Sequence, residues 1–220
     1  EVPKEAGGRE ASMWSYSFKD GTAPDLDGWM NLMIDYSDNT ATIVLRSWLG
    51  IDAINARMAR LGLLDTRILG NVSPGRADLY AWRKKWGLGM TTPRQMARLF
   101  ELLYRRKAGT VAASEKLLRI LRRQYWDDLM IAAAPVDIAV GAKSGAINRS
   151  RSEVAIVWAP RPFVVAVYTD DQKDQRWTDE NEGEVMIRAM CADIWRAFVP
   201  NRPFTLPKGY SKFSPTGGGV

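Results

Sequence analysis

The sequence contains no histidine and only one cysteine, Cys191, among its 220 residues. The first absence excludes Ser-His-Asp and Cys-His nucleophilic chemistry and ordinary histidine-zinc sites. The second excludes an intrachain disulfide and any thiolate metal cluster within one chain. Cys191 lies between apolar positions of a C-terminal helical stretch and is expected to be a buried, inert thiol. No apolar run of membrane-spanning length occurs, and no segment resembles a signal peptide. The spacing Ser-x-x-Lys, which sets a serine one helical turn from a lysine, is also missing. A serine enzyme built on this chain needs a lysine or a carboxylate as its base, and no metal or other cofactor is expected.

What is present begins with a well-filled core. Hydrophobic residues make up 46% of the chain, enough for one body of this length. The net charge of +6 favours an anionic substrate or an acidic surface. Part of that excess, at Arg119, Arg122 and Arg123, reads as a solvated helix face. No recognisable nucleic-acid-reading module accompanies the charge, so nucleic acid is not an expected partner. The opening residues, Glu1-Val2-Pro3-Lys4-Glu5-Ala6-Gly7-Gly8, read as an exposed connection that follows earlier sequence.

Periodicity then divides the chain. Asp25-Leu26-Asp27 starts a helix whose buried stripe is Trp29, Leu32, Met33 and Tyr36. A second helix is expected from Thr40 to Leu49, ending at Gly50, and a third from Ile51 to Leu61, ending at Gly62. Leu69 to Met90, with Pro74 and four glycines, reads as a long ordered surface loop. Thr91-Thr92-Pro93 opens another helix carrying Met96, Leu99, Phe100 and Leu103 on one face. A further helix is expected from Ser114 to Trp126. Beyond Pro135 the pattern becomes that of strands: Gly141 to Ala146 at an edge, then Glu153 to Ala159 and Phe163 to Thr169 joined by Pro160-Arg161-Pro162. Val185 to Phe198 is a final helix. Helices, strands and a helix in that order predict an α/β layer protein with an antiparallel sheet. Pro203, Pro207, Pro215 and Gly217-Gly218-Gly219 mark an extended tail. Within it, Thr205-Leu206-Pro207-Lys208 has nucleophile-like spacing, but its proline disfavours the helical turn such a pair requires.

Two polar motifs stand out, Ser37-Asp38-Asn39 and Lys143-Ser144-Gly145. Each alone reads as an ordinary helix cap or strand end. Together they carry the parts of an acyl-transfer site, which must relay a proton to the leaving group and place N–H donors at the developing oxyanion. The Ser37 hydroxyl can relay a proton if Lys143 orients it. Asn39 offers both donor and acceptor atoms to bridge a lysine and a substrate carbonyl. Asp38 is better suited to holding the backbone.

Tyr36-Ser37-Asp38-Asn39-Thr40-Ala41 resembles the second active-site element of the class A β-lactamase and penicillin-recognising serine hydrolase family. Lys143-Ser144-Gly145-Ala146 resembles the third element, and Thr91-Thr92-Pro93 resembles the helix entry that follows the family's Ω-loop. The resemblance covers roughly residues 10–198. It implies an α/β (α+β) β-lactamase/transpeptidase-like fold, in which an antiparallel sheet packed with helices adjoins a helical subdomain across a catalytic cleft. Residues 1–200 are then an incomplete domain of this type and 201–220 a Pro/Gly-rich tail.

The resemblance further implies that Ser37 is a proton shuttle, that Asn39 contacts the catalytic lysine and the substrate amide, and that Lys143 lies beside Ser37. Ser144 is implied to bind a substrate carboxylate, and the Ala146 N–H to form half of the oxyanion hole. Gly145 allows close approach of substrate to the strand. The nucleophilic serine and its lysine are expected upstream of Glu1 or on a companion N-terminal fragment, which implies a secreted or periplasmic protein whose open sheet edge needs a partner. The family's deacylating glutamate has no counterpart between Leu69 and Met90, where Asp78 is the only carboxylate. A side chain that short is expected to position water poorly. The functional expectation is a serine acyl hydrolase acting through an acyl-enzyme on a β-lactam, ester or peptide-like substrate, with a catalytically silent binding or structural domain as the alternative. Tyr80, Trp82 and Trp86 are either packing residues or an aromatic wall for an apolar substrate group.

Overall fold

Asp25 accepts the Gly28 N–H at 2.8 Å and so starts helix α1, Leu26–Asp35. This is one of a series of side-chain caps that set the helix boundaries. The computed structural model describes residues 24–70 and 75–205, the side chain of Asp78 excepted. The expected connection at 1–8 and the tail beyond 205, including most of the Thr-x-x-Lys segment, lie outside the described residues. The chain forms two compact units, Glu1–Arg123 and Gln124–Val220.

In the first unit, α1 is followed by α2 (Asn39–Leu49), α3 (Ile51–Arg60), strand β1 (Arg67–Ile68), α4 (Ala77–Trp86), strand β2 (Gly89–Met90), α5 (Pro93–Tyr104) and α6 (Val111–Leu121). Thr92 and Thr110 cap α5 and α6 by accepting the N–H groups of Gln95 and Ala113. Gly50 separates α2 from α3 at φ 76, a left-handed conformation that a Cβ would strain. Trp29 is buried against Ala41, Val44 and Leu45, which packs α1 on α2. A Lys116–Asp27 ion pair at 2.7 Å ties α6 to α1. Asn55 acts as a substitute ladder partner for β1, donating to the Ile68 carbonyl at 3.0 Å and accepting the Ile68 N–H at 2.8 Å.

The structure corrects two expectations here. Leu69–Met90 is not an irregular loop, because it contains helix α4 and ends in β2, which pairs antiparallel with β1 through Arg67↔Met90 and Ile68↔Gly89. The glycines that suggested a loop flank the helix, and the helix itself has both charged and aromatic residues around its circumference, so it lacks a clean apolar stripe. Helix α6 ends at Leu121 rather than Trp126. Arg119, Arg122 and Arg123 are exposed, as a solvated face requires.

The second unit contains the short helix α7 (Met130–Ala133), which periodicity did not reveal, strands β3 (Val140–Ile147), β4 (Ser150–Val157) and β5 (Phe163–Tyr168), and helix α8 (Glu182–Phe198). The strands form an antiparallel meander in the order β3-β4-β5. Its register aligns Val140 with Val157, Ala142 with Ala155 and, one strand on, Ala155 with Val165. These residues share one face and pack against Ile187, Cys191 and Trp195 of α8. Cys191 is buried there, and desolvation pushes its thiol well above the ordinary range. The fold is thus α/β with antiparallel strands packed against helices.

Trp195 is fully buried and donates its indole N–H to the Arg202 carbonyl at 2.8 Å, fixing the chain beyond α8. Trp195→Ala is expected to lower unfolding stability by about 3–5 kcal/mol, measured by urea denaturation, because it leaves both a cavity and an unmatched carbonyl.

Candidate active site

The α1–α2 junction is built around Asp38. Its carboxylate is buried and accepts the Ala41 N–H at 2.8 Å, while its own N–H donates to the Leu32 carbonyl at 3.0 Å. The Asp38 carbonyl accepts both the N–H and the hydroxyl of Thr42. With Asp38 turned inward, its two neighbours face solvent. Ser37 is exposed at φ 60, a left-handed conformation that costs a non-glycine residue about 1–2 kcal/mol. Asn39, the first residue of α2, is also exposed. The motif therefore combines a structural cap with a displayed hydroxyl and a displayed amide. Nearby Asp35 is 5% exposed, and burial raises its pKa to about 6 despite the opposing field of Arg123.

In the sheet unit, Lys143, Ser144, Gly145 and Ala146 are consecutive on β3, an edge strand in the β3-β4-β5 order. Lys143 is part-buried and donates from Nζ to the Ser144 carbonyl at 2.8 Å. Desolvation lowers its pKa to about 8, and the Glu153 carboxyl acts in the opposite direction. At that value a lysine can both release and accept a proton near neutral pH. Strand alternation sends Lys143 and Ser144 to opposite faces, Lys143 opposite Val154 and Ser144 opposite Glu153. Gly145 lies across from Ser152, and a Cβ at this position would come within 2.8 Å of the Ser152 hydroxyl. A side chain here would make the Ser152 hydroxyl move aside, and its lack also suits close approach of a ligand. Ala146 is exposed opposite Arg151. Asp78 is the second residue of α4, on a helix rather than in the expected loop.

Sequence reading missed the charged groups buried behind this strand. Glu153 is 2% exposed; one carboxylate oxygen accepts the Met130 N–H at 2.6 Å, and the other has no hydrogen-bond partner among the described residues. Burial raises its pKa to about 8, with Glu184 adding to the rise and Lys143 opposing it. Arg151, also 2% exposed, pairs with Glu184 at 3.0 Å, donates to the Arg176 carbonyl and lies 4.8 Å from the Trp177 ring. The available signal was two charged residues, Arg151 and Glu153, at alternate positions leading into the apolar run 154–157, which places both on the same face. Among the described residues no group of three or more His, Cys, Asp or Glu side chains is arranged to hold a metal.

Asp38→Ala is expected to cost about 1 kcal/mol of stability through loss of the cap, with Asp38→Asn costing less; urea midpoints of the two variants make the comparison. Glu153 gives a pH prediction. The native state keeps the Glu153 proton between about pH 4.5, where the unfolded chain releases it, and about 8. Stability should therefore fall as pH rises through that window, with a slope from this group of at most about 1.4 kcal/mol per pH unit. Glu153→Gln should flatten the slope in thermal unfolding followed from acid to mildly basic pH.

No curated protein matches the sequence. Among solved structures, β-lactamase from Sphaerobacter thermophilus is 24% identical with a TM-score of 0.69, over 82% of this chain and 66% of that one. PBP-A is 23% identical with a TM-score of 0.72, over 90% and 69% of the two chains. A class A β-lactamase from Mycobacterium abscessus is 23% identical with a TM-score of 0.67, over 81% and 66%. This chain thus spans about two thirds of the length of these structures. Their similarity is one of fold. The sequence profile of the Beta-lactamase enzyme family matches residues 2–198, nearly the whole chain, and by that match the protein belongs to the Beta-lactamase enzyme family.

Proposed function

We propose that the protein is a serine acyl hydrolase that acts through an acyl-enzyme on a β-lactam, ester or peptide-like substrate in the periplasm or outside the cell. Lys143 carries this reading: it is a lysine on an edge strand whose pKa burial has brought to about 8, within a motif that resembles the third active-site element of such enzymes. In the proposed mechanism Ser37 and Lys143 come within hydrogen-bonding range and relay the proton released as the nucleophile attacks to the leaving group. Asn39 holds the substrate amide, Ser144 binds a substrate carboxylate, and the Ala146 N–H stabilises the oxyanion while Gly145 lets the substrate lie against β3.

The nucleophile and its lysine belong, in this proposal, to a segment upstream of residue 1 or to a companion fragment. Two surface features support such a partner. β5 has a strand neighbour only on its β4 side among the described residues, and sheet edges of this kind favour further pairing. Helix α8 exposes Val185, Met186 and Met190, and a cavity of about 380 Å³ lies beside it, lined by Ala132, Ala133, Val185, Ala192 and Phe204. Deacylation is proposed to be slow, since Asp78 is the only carboxylate of the segment where the family's deacylating glutamate is expected. A point variant of PBP-A is described as an acyl-enzyme complex with penicillin G. The alternative is a silent binding domain of the same fold, which the absence of Ser-x-x-Lys from the full open reading frame would favour.

The test is time-resolved intact-mass analysis of the protein with its nucleophile-bearing segment, treated with a penicillin and with an activated ester. A covalent adduct should accumulate and outlast its formation. Ser37→Ala or Lys143→Ala should slow acylation by about 10²–10⁴-fold. Because the two residues act as one relay, the double variant should be slowed by much less than the product of the single effects. No adduct with either substrate favours the silent domain, while rapid penicillin turnover refutes slow deacylation.

A further inference from the structure

We infer that the face formed by α4 and the β1–β2 ribbon docks the protein onto an anionic lipid bilayer. The same helix carries Asp78, which the proposed function involves in deacylation; the docking residues are Trp82, Trp86 and their neighbours, which act as a surface rather than as a substrate wall. On α4 Leu79 is buried, while Trp82 and Trp86, further along the helix, are 36% and 45% exposed. Beside them Leu64 is 59% and Leu88 65% exposed. Leu88 is not displayed by a loose loop, because its carbonyl accepts the N–H groups of Leu69 at 2.8 Å and Gly70 at 3.1 Å. The side chain is held outward from a fixed backbone.

Cations are interleaved with these rings. The Arg67 guanidinium lies 4.8 Å from the Trp82 ring, Lys85 Nζ 4.6 Å from Trp86 and Lys84 Nζ 5.5 Å from Tyr80. Arg67 is fixed by a bond from Nε to the Leu64 carbonyl at 3.0 Å, so one cation joins an exposed indole to an exposed leucine. Of the nearby acids Asp52 is paired with Arg76, Asp65 accepts from the neutral Gln95 amide and keeps its charge, and Asp78 lies on α4 itself, so the cations outnumber the acids although not every acid is paired. The surface is therefore cationic with apolar side chains projecting between the charges.

Charge complementarity selects an anionic partner, and the apolar groups select which one. A soluble polyanion would satisfy Arg67, Lys84 and Lys85 but leave Leu64, Leu88 and the indoles against water. At a bilayer surface, phosphates meet the cations while indole and aliphatic groups enter the headgroup boundary. Among the described residues no helix is long and apolar enough to span a membrane, and the proposed contact is one of this face alone.

Cosedimentation with phosphatidylcholine vesicles, with and without about one third phosphatidylglycerol, tests the inference. The anionic vesicles should bind roughly tenfold more protein, with the difference shrinking at high salt. Lys84→Glu with Lys85→Glu should remove most of that gain, whereas the charge-matched pair Arg161→Glu and Lys173→Glu should leave it intact. Trp86→Ala with Leu88→Ser should weaken binding several-fold at an unchanged salt dependence, unfolding midpoints confirming that every variant is folded. No preference for anionic vesicles, or equal losses in the control pair, overturns the proposal. Binding that needs the lysines but not Trp86 and Leu88, and that extends to heparin, assigns the face to a soluble polyanion instead.

Discussion

The burial of Asp38 is the constraint on which the motif residues of the helical unit depend. A carboxylate removed from water is costly unless its charge is met by donors, and here the Ala41 N–H at the start of α2 meets it. That bond fixes the direction in which α2 leaves the junction. It also determines what precedes it, because the chain must turn sharply between Asp35 and Asp38 to bring the Asp38 N–H to the Leu32 carbonyl. Ser37 adopts φ 60 within that turn. The strain at Ser37 is thus sustained by the cap beside it, and the exposed hydroxyl and amide on either side of Asp38 are a consequence of the carboxylate pointing inward.

The same physics with a different outcome operates in the sheet unit. Glu153 is buried with one oxygen bonded to the Met130 N–H, and its pKa rises instead of its charge being fully compensated. Lys143 moves the opposite way for the same reason, since burial penalises ammonium as it penalises carboxylate. Burial thus brings both groups to about 8, which leaves Lys143 mainly charged and Glu153 mainly neutral at neutral pH.

The parts of the fold that were legible in the sequence were those with a local cause. Helices α1 and α5 announced themselves through an Asp or Thr start followed by an apolar stripe, α2 through its run up to Gly50, and β4 and β5 through dense β-branched runs. Helix α4 did not, because Trp, Arg and Lys are distributed around it and its neighbours are glycines. The four-residue α7 is shorter than any periodic signal. Site residues were legible by motif, but their states were not. That Ser37 is left-handed, that Lys143 is desolvated and that Gly145 lies against the Ser152 hydroxyl all depend on contacts that arise only after folding. Glu153 was read as the start of a strand because its spacing is that of a core residue, and its charge becomes informative only once the register shows it facing α7 and α8.

Local determination also bears on how a site of this kind could be assembled from separate segments. The Asp38 cap is closed by residues within a few positions of itself, and Lys143 is oriented by its bond to the Ser144 carbonyl and by the β3–β4 register. Under the proposed function, a segment delivering a serine and a lysine would meet in each unit a motif whose local turn or register these bonds already define, and its docking energy would go into closing the sheet edge and covering α8. Preorganisation of this type lowers the entropic cost of assembly. It also means that the motif residues can keep their conformation in a catalytically silent domain, so intact geometry at Ser37 and Lys143 does not by itself distinguish an enzyme from a binding module; the covalent step does.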